Sequence, residues 1–483
     1  MRSVSVGVVG LSAVLLFCTC ERAADSKADA IESLLDRYHE LGTFNGAALV
    51  AENGKVIFKK GFGFADFEWK SPNTPDTKFR LGSITKQFTA ALLLQLVEEG
   101  KVSLETPLSD ALPYYRADTG AIITIHHLLA HTSGIPSYTG LPDFFKDVSR
   151  DPYAVRDFVL EYCSGDLEFE PGAEFRYNNS GYFLLGAIIE QVTGKGYAQA
   201  LEERILDPLG MRASGYDLAA PLLEKRARGY ERGLLDVRNA DYLDMSLPFA
   251  AGALYSTVED LYLWDQALYG DRVLPPAAKE RMFTPNLEHY GYGWGIRERP
   301  IGPGKAERLT VGHGGGINGF NTLIRRVPED RHLVVLLNNT GGTDLDAIFS
   351  GVADILYGRT PAAVKQSVAP VLYETIETEG VGAAVARYRE LRESHTEEFD
   401  LTEPELNRLG YELLGQKRAA DAIEVFKLNV EAFPESSNTY DSLAEAYAEA
   451  GETELAIKNY AKSLDLEPAN RHAVEQLTTL VQQ

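Results

Sequence analysis

Cysteine is almost missing from this chain. Its 483 residues hold three, and two of them, Cys18 and Cys20, end an apolar run at the N-terminus. A disulfide framework is thereby excluded, because a chain processed behind that run keeps Cys163 alone, and the default for a lone cysteine is a buried thiol. Positive charge is also scarce. Lys and Arg number 47 against 70 Asp and Glu, a formal charge of −23, which argues against nucleic acid and anionic membrane as partners. More than half of that excess lies beyond about residue 368, so the acidity belongs mainly to the C-terminal part. After the first 17 residues no stretch is long and apolar enough to span a membrane. His126, His127 and His131 lie close together, but without an H-E-x-x-H motif or a nearby cysteine they give no metal site. A G-x-S-x-G elbow is absent too, which counts against a Ser-His-Asp triad on an α/β-hydrolase fold. "GGGING" from Gly314 fits a dinucleotide fingerprint but leads into a strand pattern rather than a helix, so no cofactor is expected.

What is present begins with a leader. "MRSVSVGVVGLSAVLLFCTCERAADS" has one early basic residue, an apolar run from about Val4 to Phe17, then small and polar residues. That is the layout of a secretory signal peptide, read here as residues 1–24, and it implies a periplasmic or extracellular protein. The membrane enters only if Cys18 or Cys20 carries a lipid.

A chain of 483 residues predicts two or three domains. "GAALVAENGKVIFKKGFGFAD" reads as two strands about an Asn53-Gly54 turn, and "FNTLIRRVPEDRHLVVLLNN" as a hairpin turning at Pro328–Arg331. Strands at both ends with helical patterns between predict one α/β domain over residues 28–360, its ends sharing an antiparallel sheet. Residues 361–400 read as a helical linker, and residues 401–483 as an all-α tail with a 34-residue period. Leu409 matches Leu443, Ala422 matches Ala456, Phe426 matches Tyr460 and Pro434 matches Pro468. Period, small residue and closing proline resemble tetratricopeptide repeats, with "RHAVEQLTTLVQQ" as the capping helix.

"RLGSITKQFTAALLL", residues 80–94, admits two readings. Ser83 is a favourable N-cap for the helix that follows, with Gly100 available to end it. A capping box, however, places Glu or Gln three residues on, and here that position holds Lys86. A cation at a helix N-terminus opposes the dipole, yet the same placement favours a neutral amine able to act as a base. Spacing of three puts the hydroxyl and the amine on one face.

Two more short pieces follow in order: Tyr177 and Asn179 in "FRYNNSGYFLLGAIIE", and His313 with its glycines in "VGHGGGINGF". With "ITIHHLLAHTSGIPSY", "AAGALYSTVEDLYLWDQAL" and "YGYGWGI", the order S-x-x-K, Y-x-N, H-x-G resembles the β-lactamase-related serine hydrolases over roughly residues 30–355. That family contains class C β-lactamases, D,D-peptidases and related esterases. The resemblance implies a β-lactamase/transpeptidase-like fold, an antiparallel sheet flanked by helices with a helical subdomain. It implies Ser83 as nucleophile, Lys86 as its base and Tyr177 as a second proton-transfer group, lowered in pKa by neighbouring cations. Asn179 would bind lysine and substrate, and His313, Gly315 and Gly316 would line the substrate site, the N–H groups of Ser83 and Gly316 forming an oxyanion hole. The bland alternatives are a core tyrosine, a turn asparagine and a surface loop. The three histidines are expected near the floor of the site.

The third motif departs from the penicillin-directed pattern of Lys-Thr-Gly or Lys-Ser-Gly. His313-Gly314-Gly315 lacks both a fixed cation and a hydroxyl, which weakens the grip on a substrate carboxylate. The implied substrate is an ester or a D-amino-acid amide or peptide, a small acyl compound, with β-lactams in doubt. A protein partner or self-association is open to the tail. The competing reading is a non-catalytic module that binds peptide or peptidoglycan.

Overall fold

The computed structural model describes residues 27–482; the expected signal peptide and its cysteines lie outside the described residues. Asn53 and Gly54 both take positive φ, 51° and 75°, the geometry that turns one strand tightly into the next. They join β1 (Gly46–Glu52) to β2 (Lys55–Phe62). Four strands from the far end of the domain complete the sheet: β3 (Gly295–Arg299), β4 (Arg308–Ile317), β5 (Phe320–Val327) and β6 (His332–Asn338). Their order is β3-β4-β5-β6-β1-β2, antiparallel throughout, and β1 pairs with β6 from Gly46 opposite Asn338 to Ala51 opposite Leu333. The two ends of the sequence region thus share one sheet, as the strand pattern predicts. Every residue of β6 is buried, so both faces of the sheet are covered.

Helix α1 spans residues 27–40. The helical half of the domain is built around α2 (Thr85–Glu98), α3 (Ile125–Leu129), α4 (Asn179–Thr193), the short α5 (Phe249–Gly252) and α6 (Val258–Leu268). Leu49 of β1 and Val335 of β6 join Leu92, Ile188 and Trp264 in its core. On the other face lies α7 (Leu345–Leu356), where a side chain at Gly351 would meet Leu34 of α1. Cys163 is fully buried with its thiol pushed up to about 12 by that burial, the inert setting expected.

The chain divides into two compact units, the second formed by Arg232–Asp236 with the residues from Ala363 onward. Residues read from the sequence as a linker supply it with α8 (Val368–Glu379) and α9 (Val381–Ser394), whose Leu372 and Tyr388 lie in its apolar core. Then come α10 (Glu403–Gly415), α11 (Ala419–Ala432), α12 (Ser437–Glu449), α13 (Thr453–Leu466) and α14 (Arg471–Gln482). The 34-residue correspondence has a packing counterpart: Leu409 and Leu443, Ala422 and Ala456, Phe426 and Tyr460 are all buried. Among the described residues no helix is long and apolar enough to cross a membrane.

Candidate active site

Ser83 does not cap a helix. It sits in a tight turn, Gly82–Ile84, and α2 starts at Thr85 with no side-chain cap. The turn is held by β4 and β5, which cross it closely. Thr322 donates its hydroxyl to the Leu81 carbonyl at 2.7 Å, and a side-chain carbon at Gly315 would come within 1.9 Å of that carbonyl oxygen. Glycine is therefore obligatory at Gly315. Gly82, at φ +55°, lies against the next residue, with the space for its missing side chain 3.0 Å from the Gly316 nitrogen. The Ser83 turn and the Gly316 backbone meet here.

Lys86 lies one turn below Ser83 and is wholly buried. Its amine contacts the Ser83 hydroxyl at 3.1 Å, the Asn179 side-chain oxygen at 2.8 Å and the Ala251 carbonyl at 2.9 Å. The rings of Tyr177 and Tyr182 flank it, with centroids at 4.9 Å and 5.5 Å. No carboxylate pairs with it among the described residues. Burial drives its pKa well below the usual lysine value. The neutral amine anticipated from the sequence is favoured.

Asn179 is the first residue of α4 and not a turn residue; the cap is Asn178, whose side-chain oxygen accepts from the Gly181 N–H at 2.9 Å. With its oxygen given to Lys86, the Asn179 amide donates to Thr139 at 3.0 Å. Tyr177 directly precedes this cap, and its partly exposed ring faces the Lys86 amine. Its pKa is raised by desolvation of the phenol, so the expected lowering by cations is corrected: the phenol holds its proton.

His313 lies within β4 rather than on a loop. Its Nδ1 approaches the Gly314 carbonyl, which can only accept, so Nδ1 carries the proton and Nε2 accepts from the Tyr290 hydroxyl at 2.9 Å. Burial lowers it to about 4, so the third motif presents a neutral ring at pH 7. Of the three clustered histidines only His131 reaches this floor. His126 bonds to the Tyr292 hydroxyl at 2.7 Å, and His127 closes a capping box with Thr124 at the start of α3. His131 is buried at φ +59° with its ring 4.4 Å from that of Tyr177. Sequence reasoning did not separate it from its neighbours.

Beside Ser83, Asn179 and Gly316 opens an apolar cleft of about 130 Å³ lined by Tyr138, Phe144 and Leu247. The whole arrangement presents a hydroxyl, a buried amine, a protonated phenol and strand backbone to one small volume.

Comparison with known proteins gives a consistent picture. The family described as Beta-lactamase matches residues 28–356. Penicillin-binding protein 4* of Bacillus subtilis (strain 168) is 30% identical over 86% of this chain and 91% of its own length. The teichoic acid D-alanine hydrolase of Staphylococcus aureus is 29% identical over 68% of this chain and 79% of its own. Among solved structures, the D-amino acid amidase of Ochrobactrum anthropi SV3 aligns with a TM-score of 0.58 at 27% identity, covering 68% of this chain and 98% of that one.

Proposed function

The chain belongs to the β-lactamase family, and from that premise we propose that it is a serine hydrolase working through an acyl-enzyme on Ser83. Neutral Lys86 takes the Ser83 proton as Oγ bonds to the substrate carbonyl carbon. The developing oxyanion is met by the N–H groups of Ser83 and Gly316. As the tetrahedral intermediate collapses, Tyr177 gives its proton to the leaving oxygen or nitrogen and regains one from the Lys86 ammonium. A phenol held protonated suits this role better than a resting phenolate would. Water then attacks the ester on Ser83, with the same groups carrying its proton. Asn179 keeps the amine aligned through its side-chain oxygen.

The observation that carries the reading is the position of the Lys86 amine. It is fully buried and 3.1 Å from the Ser83 hydroxyl, with no counter-charge among the described residues. A merely structural helix gains nothing from such a lysine, because an uncompensated buried charge is destabilising.

The substrate is an ester or a D-amino-acid amide or peptide. Relatives named for hydrolysis of D-alanine from teichoic acid and of D-amino acid amides support this. The apolar cleft beside Ser83 and Gly316 takes the acyl portion, and the neutral third motif disfavours β-lactams. We read the leader as a signal for export to the periplasm or beyond, and the tail as two tetratricopeptide-type repeats capped by α14. Labelling with a fluorophosphonate and turnover of a nitrophenyl ester, both lost in Ser83→Ala, are the expected results. Labelling that survives the substitution, or binding of ligands without turnover, would overturn the reading.

A further inference from the structure

Among the described residues, none that lines the apolar cleft beside Ser83 carries a charged side chain. Phe144, Phe145, Leu243, Leu247 and Ile317 supply most of its wall, and the polar residues that reach it are neutral. The Tyr138 hydroxyl is tied to the Leu247 carbonyl at 3.0 Å. The Asn179 oxygen already accepts from the Lys86 amine, and its amide donates to Thr139. The ionisable residues nearest in sequence are engaged elsewhere. Asp143 and Lys146, on either side of Phe144 and Phe145, pair with each other at 3.8 Å. Asp244, next to Leu243, accepts from the Ser246 hydroxyl at 2.7 Å and the Tyr242 hydroxyl at 3.2 Å.

An ammonium entering such a cleft loses water and finds no carboxylate in return. An uncharged group of the same size escapes that cost. The chemistry adds to it. The Lys86 amine, 3.1 Å from the Ser83 hydroxyl, takes up the serine proton as the acyl group is captured, so a cation forms beside the nucleophile. A second positive charge on the acyl portion would repel it most at the transition state.

We propose that this cleft selects an acyl group with no charge next to the scissile carbonyl, and in particular rejects a free α-ammonium. The proposal rests on the function given above, which places the acyl portion here, and it narrows the substrate class. Esters of uncharged acids fit the cleft, and so do peptides whose amine is acylated. A D-amino-acid ester or amide with a free amine does not.

The test uses the full chain and the 4-nitrophenyl esters of D-lactic acid and D-alanine, which differ by a hydroxyl in place of an amine. At about pH 6 that amine is an ammonium. There kcat/KM for the lactate ester, divided by that for the alanine ester, is expected to be about ten to a hundred, the scale of an unpaired charged group. The ratio should fall as the pH is raised to about 8 and the ammonium loses its proton. Phe145 lines the cleft and is exposed, so Phe145→Asp adds a carboxylate without opening the core. It should lower the ratio at pH 6 by up to about fivefold, the size of an exposed ion pair. A ratio near or below one overturns the selection, and so does a high ratio that either change leaves unmoved. If the unsubstituted protein cleaves neither ester, the hydrolase reading fails by itself. Calorimetry with D-lactamide and D-alaninamide then decides the cleft: tighter binding of D-lactamide supports it, and equal, reversed or absent binding overturns it.

Discussion

His131 grips the chain on both sides of Tyr177. Its carbonyl accepts from the Arg176 N–H at 2.9 Å, and its ring Nδ1 accepts from the Asn178 N–H at 3.0 Å. The imidazole lies against the Tyr177 ring at 4.4 Å. Because Nδ1 accepts, the proton sits on Nε2, which is buried without a hydrogen-bond partner among the described residues. The pKa falls well below the usual histidine value through burial, so the ring stays neutral. A non-glycine residue at φ +59° is itself uncommon.

His131 therefore acts as a positioning residue for Tyr177. His131→Ala removes the ring and the Nδ1 acceptor, and kcat should fall more than KM changes. His131→Asn should recover part of kcat, because asparagine tolerates positive φ and offers a short acceptor. Steady-state kinetics beside thermal melting separate this from general instability. If Asn and Ala lose kcat in proportion to lost melting temperature, the role is structural only.

Lys86→Met should lower kcat/KM by about 10²–10⁴-fold, the usual size of a general-base contribution. Its stability carries a second signature. Lysine with a folded-state pKa below its unfolded value of about 10.5 binds fewer protons folded than unfolded, so it weakens folding as pH falls below that value. The melting temperature of Lys86→Met relative to the unsubstituted protein should therefore rise as pH is lowered from 10 to 7. A difference that does not move with pH would mean Lys86 titrates normally.

How much of this was legible follows from distance along the chain. Ser83 and Lys86 lie three residues apart, and helical geometry alone brings them together. The sheet was legible because Asn53-Gly54 and Pro328–Arg331 mark turns between apolar runs, and β6 shows a continuous one. The site's electrostatics were not. Tyr177 was expected to be acidified by cations, but its pKa is raised, and the Lys86 beside it is itself lowered by burial, which no local pattern reveals. His131 could not be ranked above His126 and His127 because its contacts come from a loop 45 residues away and from Tyr290 in another segment.

The pH profile of kcat/KM follows from two opposed shifts. Activity needs the Lys86 free base and the Tyr177 acid. Burial lowers the first and raises the second, so the window in which both hold is widened at each end. The expected profile is flat through neutral pH, with an acidic limb far below 10 and no loss from phenol ionisation until above 10. A limb centred near the ordinary lysine value would show that the amine is charged at neutral pH and would remove it as the base.

Gly315→Ala tests whether β4 positions the nucleophile. The added carbon would meet the Leu81 carbonyl oxygen at 1.9 Å and the Thr322 hydroxyl at 2.3 Å, and both belong to the bond that ties the Ser83 turn to the sheet. Backbone cannot move aside cheaply, so stability should fall by about 1–3 kcal/mol, the range for overpacking. The chemical step should suffer more, since any retreat of β4 also carries Gly316 away from Ser83. The contrasting change is Gly314→Ala, whose added carbon finds nothing nearer than the Thr322 carbonyl oxygen at 3.6 Å. Denaturant unfolding and fluorophosphonate labelling rate, measured on both variants, should show a large loss of labelling only at Gly315. Equal labelling in the two would mean that the approach of β4 to the Ser83 turn is a packing feature with no part in acylation.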